Sequence, residues 1–374
     1  MNQPNLTRAN NFSLLRMLFA SLVVLAHSFQ MVYGSPLHDI LFRIFGTMAF
    51  GDFSVDGFFI ISGYLITQSF FSSSRASYLL KRVLRIYPGF IVAFLFSIFL
   101  YLYFSAYHSP ITVKEIFLNV INVILAMQPL LKSAYAGSFY PGLNGPMWTI
   151  SYEFHCYLMV ILLAYVGLFR RKKLLLAITG MFLFVLLFYP TIYLPDSAHI
   201  MVVAPPVSMP ARAWRDIMAV TLESPRSDLR LFGMFLSGCC FYIFRESIAY
   251  QSRLAAVAAL MLAICMFFAP LAEPAVAIFG GYLIFWFAFA VKPLKASGFF
   301  NKTDLSYGIY LYAWPVQKVL MLKFHFASPY ALFLCAWVLA ALLACASWNL
   351  IEKPCIGLKS RYRPRAKPAP SLGV

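Results

Sequence analysis

The sequence predicts an all-α, polytopic membrane bundle of about ten transmembrane helices plus one short re-entrant or interfacial helix. Three observations carry this. Hydrophobic residues make up 61% of the chain and charged residues only 11%. Apolar runs of about 20 residues, the length that crosses a bilayer, recur from one end to the other. Clusters of Lys and Arg punctuate the runs in the alternating way that a positive-inside bias produces. This composition excludes a soluble enzyme. A net charge of +17 would suggest nucleic acid in a soluble chain, but here the positive-inside bias accounts for it and no nucleic-acid partner is expected. Seven cysteines are scattered without paired ligand spacing, so neither a disulfide framework nor a metal site is expected.

Residues 1–12 are polar. The first span, about Ser13 to Tyr33, is too long for a cleaved signal peptide and is retained. The second, about Ile44 to Phe71, is rich in Gly and Ser. Arg75, Lys81, Arg82 and Arg85 precede the third, about Tyr87 to Tyr107. Residues 116–131 are apolar but short. The fourth span, about Trp148 to Leu168, ends in RRKK at 170–173. With both basic clusters on one side, residues 108–147 stay on the other, so the 116–131 helix lies along the membrane or dips in and returns. A fifth span covers about 174–193, then comes a Pro-rich loop at 194–226. The sixth to tenth spans cover about 229–244, 254–270, 275–291, 305–323 and 329–351, with the tight turn LAEP parting the seventh and eighth. The chain thus divides into a membrane domain, 1–352, and a basic, Pro-containing tail, 353–374. Ten spans put both termini in the cytoplasm, in the cell (inner) membrane. No internal repeat and no appended soluble domain is evident.

Arg16 and His27 lie in the first span, separated by ten uncharged residues. Those eleven steps make about three helical turns, so both side chains share one face roughly 16 Å apart. A cation and an imidazole stacked there are costly unless something uses them. His27 suits a general base or proton relay, because imidazole titrates near neutral pH; a hydrogen-bonded packing residue is the alternative. Arg16 either snorkels to the headgroups or meets an anionic group in a polar cavity. Lys81, Arg82 and Arg85 are either topology signals or a phosphate cradle, since guanidinium groups bind phosphate by paired hydrogen bonds. Asp56 and Glu153 are the two acids placed at membrane depth, where a carboxylate must be paired or protonated. His155, about 200° around the helix from Glu153, is expected to pack rather than share its cavity. Ser62, between Gly57 and Gly63, marks either close helix packing or a broken helix lining a cavity. Some of the aromatics at 306–314 belong to an interface belt.

Six motifs now stand in order: Arg16-x10-His27, GFFIISGYLIT at 57–67, KRVLRIYP at 81–88, WTISYE at 148–153 with Tyr157, SYGIYLY at 306–312 and WNLIEKP at 348–354. Together they cover nearly the whole chain, and the sequence resembles the acyltransferase family 3 membrane proteins. The resemblance implies transfer of an acyl group, most often acetyl, from acyl-coenzyme A to a hydroxyl of a cell-surface or lipid-linked glycan. It implies catalytic roles for Arg16, His27 and Glu153, and donor contact by Arg82 and Arg85. Within or beside the same motifs, Lys81, Asp56, Ser62, Trp148, Tyr157, Tyr307 and Tyr310 are substrate-binding candidates. No bound cofactor is implied; acyl-coenzyme A is a substrate. The partners are that donor, a glycan acceptor, membrane lipid and, since no SGNH-type hydrolase domain follows, a possible separate periplasmic chain. Two departures stand out. Phe154 occupies a place where family members often carry a second carboxylate, and Ala313 one where many carry a histidine.

In the enzyme so implied, the donor phosphates meet Arg82 and Arg85, the pantetheine arm passes Arg16, and the thioester reaches His27. His27 deprotonates the acceptor or carries the acyl group itself, with Glu153 orienting the imidazole. The rival is a proton-coupled transporter or flippase of a lipid-linked sugar, for which a buried His and Glu would also serve. The absence of a repeat counts against it.

Overall fold

Uncharged runs with few interior helix breakers satisfy their backbone groups within the segment, which apolar surroundings demand. In a computed structural model they wind into ten helices of 14 or more residues among the described residues, which are 10–105, 110–131, 134–135, 137–190, 192–193, 200–201, 225–293, 298 and 303–358. They are α1 Phe12–Tyr33, α2 Phe50–Phe71, α3 Arg75–Phe104, α4 Trp148–Tyr165, α5 Lys172–Leu186, α6 Pro225–Ile243, α7 Ser252–Cys265, α8 Ala269–Phe289, α9 Leu305–Phe324 and α10 Pro329–Gly357. The fold is all-helical apart from a two-residue antiparallel ladder, Ile192–Tyr193 with Ile200–Met201. Five helices, α1, α3, α4, α8 and α10, are long and apolar enough to cross a membrane. Among the others, α2 carries Asp52 and Asp56, α6 carries Arg226, Asp228 and Arg230, and α5 and α7 are short.

Helix ends follow local chemistry. Gly34 closes α1 in the left-handed conformation, φ +72°, which returns its N–H to Gln30 O. Gly46, φ +74°, ends a short helix at Ile40–Phe45, so the second span starts at Phe50 rather than Ile44. Asp39 joins the two pieces, accepting from the backbone N–H of Leu41 at 2.8 Å and of Phe50 at 3.2 Å. The expected break at LAEP falls instead at 266–268. Pro270 sits in the first turn of α8, where its missing N–H costs nothing. Pro274 is absorbed farther in, just ahead of a π-turn at Val276–Gly280. α3 begins at Arg75, so Lys81, Arg82 and Arg85 ride on a helix. α10 runs on to Gly357, past the expected boundary at 352. The 116–131 segment forms a helix at Val113–Ile124, opened by a capping box of Thr112 and Glu115. Its 12 residues rise about 18 Å, too short to cross a bilayer core. Most of the Pro-rich 194–226 loop and the tail from 359 lie outside the described residues.

The Gly-rich run resolves to close packing, because α2 is unbroken. A Cβ on Gly63 would lie 2.0 Å from Phe235 O, and one on Gly238 would lie 2.1 Å from Ile60 O. Glycines on both partners therefore let α2 and α6 meet backbone to backbone. Inside α9, Pro315 withholds the N–H that Leu311 O would accept. Asn144, from the segment before α4, supplies that bond with its side-chain amide at 2.8 Å.

Candidate functional site

Three of the cavities formed by the described residues hold residues singled out in the sequence. The middle one, about 50 Å³, is lined by Arg16 of α1, Ser62 of α2, Glu153 of α4 and Ser306, Tyr307 and Tyr310 of α9. These are residues of four separate motifs, brought together by the crossing of four helices. Ser62, Glu153, Tyr307 and Tyr310 thus share one wall-to-wall space with Arg16. The hydroxyl of Tyr157, one turn after Glu153, donates to the Glu153 carboxylate. Tyr310 is fixed by Thr149 Oγ1 at 2.8 Å and donates to Pro146 O at 2.9 Å.

At one end, Lys81, Arg82 and Arg85 line a cavity of about 190 Å³. Lys81 donates to Ser73. Arg82 donates to Ser69 at 3.0 Å and stacks on the rings of Tyr78 and Tyr157, while among the described residues its buried Nε has no hydrogen-bond partner. Arg85 lies over Tyr307 and donates to Asp304 Oδ2 at 2.5 Å. The same Asp304 oxygen accepts from Arg16 at 2.7 Å. Glu352, almost fully buried, stands 3.5 Å from Arg85. Asp304 precedes α9. Burial pushes its carboxyl up, but Arg16 and Arg85 outweigh that and hold it down to about 2. Arg16 and Arg85, Asp304 and Glu352, and the ring of Tyr307 thus form one polar junction between the basic end and the middle cavity.

Toward the other end, His27, Asp52, Trp148, Arg230 and Trp314 line a cavity of about 500 Å³. The His27 ring meets Trp314 edge to face at 4.8 Å. Val55 and Tyr310 line both this cavity and the middle one, so the two are neighbours. Arg16 and His27 therefore face adjacent spaces along α1. Glu153 does not join His27: its hydrogen-bond partner is Tyr157, and the carboxylate that shares the imidazole's cavity is Asp52. The expectation that Glu153 orients His27 is corrected accordingly.

Asp56 likewise lines none of these cavities. It is fully buried, and its Oδ1 accepts from Arg230 Nε at 2.8 Å. Arg230 also donates to Asp52 Oδ1 at 2.9 Å and lies 3.6 Å from Glu273, which pairs with Arg226 at 2.5 Å. This inter-helix network was not apparent from the sequence, nor was Asp304. Glu273 and Glu352 join Asp56 and Glu153 as acids within the bundle. A signal existed for Glu352, which stands inside the WNLIEKP motif; Arg230 and Asp304 carried none. Phe154 packs edge-on against Tyr87 and lines none of these cavities, so a second carboxylate there would face elsewhere. Ala313 is buried beside Trp314. Among the described residues, no three His, Cys, Asp or Glu side chains gather as a metal site.

The arrangement can bind an anion at one end, hold a polar group in the middle, and present an imidazole to a roomier cavity beyond. The sequence matches the family described as acyltransferase domain over residues 10–349. It is 26% identical to nodulation protein 10 of Rhizobium leguminosarum bv. viciae, covering 96% of each chain. It is 25% identical to the O-acetyl transferase of Shigella phage Sf6, covering 98% of this chain and 99% of that one. No solved structure matches. With the family's match running through all ten helices from α1 to the last turns of α10, the chain belongs to acyltransferase family 3 and is an acyl-transferring enzyme.

Proposed function

We propose that this enzyme is a membrane O-acetyltransferase that moves acetyl from acetyl-coenzyme A to a hydroxyl of a cell-surface or lipid-linked glycan. All ten helices cross the cell membrane, and both termini lie in the cytoplasm. The observation that carries the reading is the order of the cavities: an arginine-lined one, then the Arg16 and Glu153 space, then the His27 cavity. That order suits a long donor with an anionic head and a reactive tail.

Arg82 and Arg85, with Lys81, take the donor's phosphates as charge-assisted, paired hydrogen bonds. The pantetheine arm enters beside Arg16, Ser62 and Tyr307. The middle cavity of about 50 Å³ has room only for waters as it stands, so the donor's entry moves side chains aside. The thioester carbonyl arrives at the wall formed by Val55 and Tyr310. On the far side the glycan hydroxyl meets His27. The imidazole removes the hydroxyl proton, the oxygen attacks the thioester carbon, the C–S bond breaks, and the leaving thiolate recovers the proton from the imidazolium. Glu153, held by Tyr157, shapes the middle cavity and balances Arg16 rather than acting on the imidazole. The name of the Shigella phage relative supports acetyl as the group and oxygen as its destination.

The test is His27→Ala beside the wild type at matched membrane levels, with base-labile acetyl on the surface polysaccharide measured by NMR. Acetyl falls to background while polysaccharide export is unchanged. Normal acetyl in the variant would remove His27 from the chemistry. Loss of the polysaccharide itself, with no change in acetyl per chain, would point to translocation instead.

A further inference from the structure

Lys318 is a residue that the reaction above leaves unused. It sits on α9 roughly 20 Å beyond Asp304, at the opposite end from Arg82 and Arg85. It is only 5% exposed. Among the described residues it forms no ion pair: Nζ donates to Ser138 Oγ at 3.0 Å and to the backbone oxygen of Tyr140, and it lies over the rings of Tyr135 and Trp314 at 5.4 and 5.6 Å. An ammonium with three hydrogens has one left over. Burying such a charge without a counter-charge is costly, and the surrounding fold must maintain it for a reason.

The space it borders supplies the reason. Lys318 lines a cavity of about 520 Å³ with Tyr135, Ser138, Tyr140 and His325, and no carboxylate is among its described lining residues. His325 closes α9 in the left-handed conformation at φ +48°, which a non-glycine residue adopts at a cost, and it presents a second titratable nitrogen base to the same space. A hydroxyl, an ammonium and an imidazole with no acid opposite them make a receptor for a negative group. The cavity also adjoins the His27 cavity, because Tyr140 lines both. One indole, Trp314, contacts the His27 ring and also lies beneath Lys318.

We propose that Lys318 and its cavity form an anion subsite for the acceptor, taking a phosphate or carboxylate carried by the glycan or its lipid carrier and setting the reacting hydroxyl against His27. This rests on the reading of the His27 cavity as the acceptor's. The subsite selects acceptors that bear a negative group next to the hydroxyl to be modified, and it is separate from the arginine cradle for the donor at the other end.

The test is hydrogen exchange by mass spectrometry on the full chain in nanodiscs, with inorganic pyrophosphate as the probe. Peptides are followed individually, so binding at Arg82 and Arg85 is seen separately. Pyrophosphate slows exchange in peptides spanning Ser138 to Tyr140 and the last turn of α9. Lys318→Met weakens half-saturation at least tenfold, and Lys318→Arg retains it. No protection in the wild type, or equal protection in Lys318→Met, overturns the subsite; should Lys318→Met fail to fold, Lys318→Gln takes its place and the wild-type result still decides. Two further arms identify the source. Protection by polyprenyl phosphate in the nanodisc assigns the anion to the lipid carrier, and protection by soluble glucuronic acid assigns it to an acidic sugar; protection by neither overturns the acceptor role. No transfer is measured, so a failure here leaves the His27 chemistry standing, and a failure of that chemistry leaves this binding result intact.

Discussion

Asp304 holds Arg16 from outside its own helix, at 2.7 Å. The first member of the Arg-x10-His pair thus takes its position from the residue that precedes α9, and the same carboxylate oxygen takes Arg85 from α3. Asp304→Asn removes the charge that anchors both guanidinium groups. At 22% exposure the pair is not fully buried, so the cost in stability is about 2 kcal/mol, below the roughly 3–5 of a fully buried pair that loses one partner. Thermal unfolding in detergent reads this directly. In a double-mutant cycle, Arg16→Ala with Asp304→Asn costs less than the sum of the single changes. Additivity would show that the contact carries no energy.

The same pair sets a pH dependence. Asp304 is held to about 2, below its unfolded value of about 3.9. Its ionised form is favoured by folding, so its contribution is complete above about pH 4 and is lost as pH falls toward 2. The difference in melting temperature between wild type and Asp304→Asn therefore stays level from pH 5 to 8 and closes below pH 4. Closure between pH 7 and 5 would assign the titration to another group.

Arg82 offers a buried Nε with no partner among the described residues, and the donor reading gives it a phosphate. Arg82→Gln raises KM for acetyl-coenzyme A by about 10-fold or more, the loss of one charge-assisted hydrogen bond. With acetyl-pantetheine, which lacks the nucleotide phosphates, the substitution changes KM less than about twofold. Steady-state kinetics with both donors distinguishes a phosphate cradle from a topology signal, since a mere topology signal affects neither.

Gly63 lies against the backbone of α6. Gly63→Ala places a methyl where Phe235 O already stands, and the helices must separate. Overpacking of this kind costs about 1–3 kcal/mol. Gly180→Ala, at a position open to its surroundings, is the matched control and leaves the melting temperature unchanged or slightly raised. Equal effects at the two sites would refute the close-contact account of the Gly-rich run.

The helices were legible because an apolar run of fixed length is a local property of the chain. Their ends were less so, because single residues decide them: Gly46 split the second span, and Pro274 was carried inside α8 rather than breaking it. The middle cavity was legible through motifs, since Arg16, Ser62, Glu153, Tyr307 and Tyr310 come from short patterns that recur in a known family and meet in one place. Asp304, Arg230 and Lys318 were not. Arg230 meets Asp56 across 174 residues, and no period or spacing encodes a partner so distant. The pairing of Glu153 with His27 failed for the same reason: the two stand on different helices and line different cavities, and the carboxylate beside the imidazole comes from a third helix, at Asp52.

Val55 and Tyr310 are the residues common to the middle and His27 cavities. Two spaces set in line through a bundle and parted by a valine side chain and a phenol amount to an interrupted pore. If they merged, they would form one continuous path, and a membrane spanned by the bundle would lose its insulation there. The partition must therefore open only when something else fills the gap. On the proposed reading, a donor arm threaded up to that wall would itself be the plug, so the insulation of the membrane and the meeting of the two substrates would depend on the same two side chains.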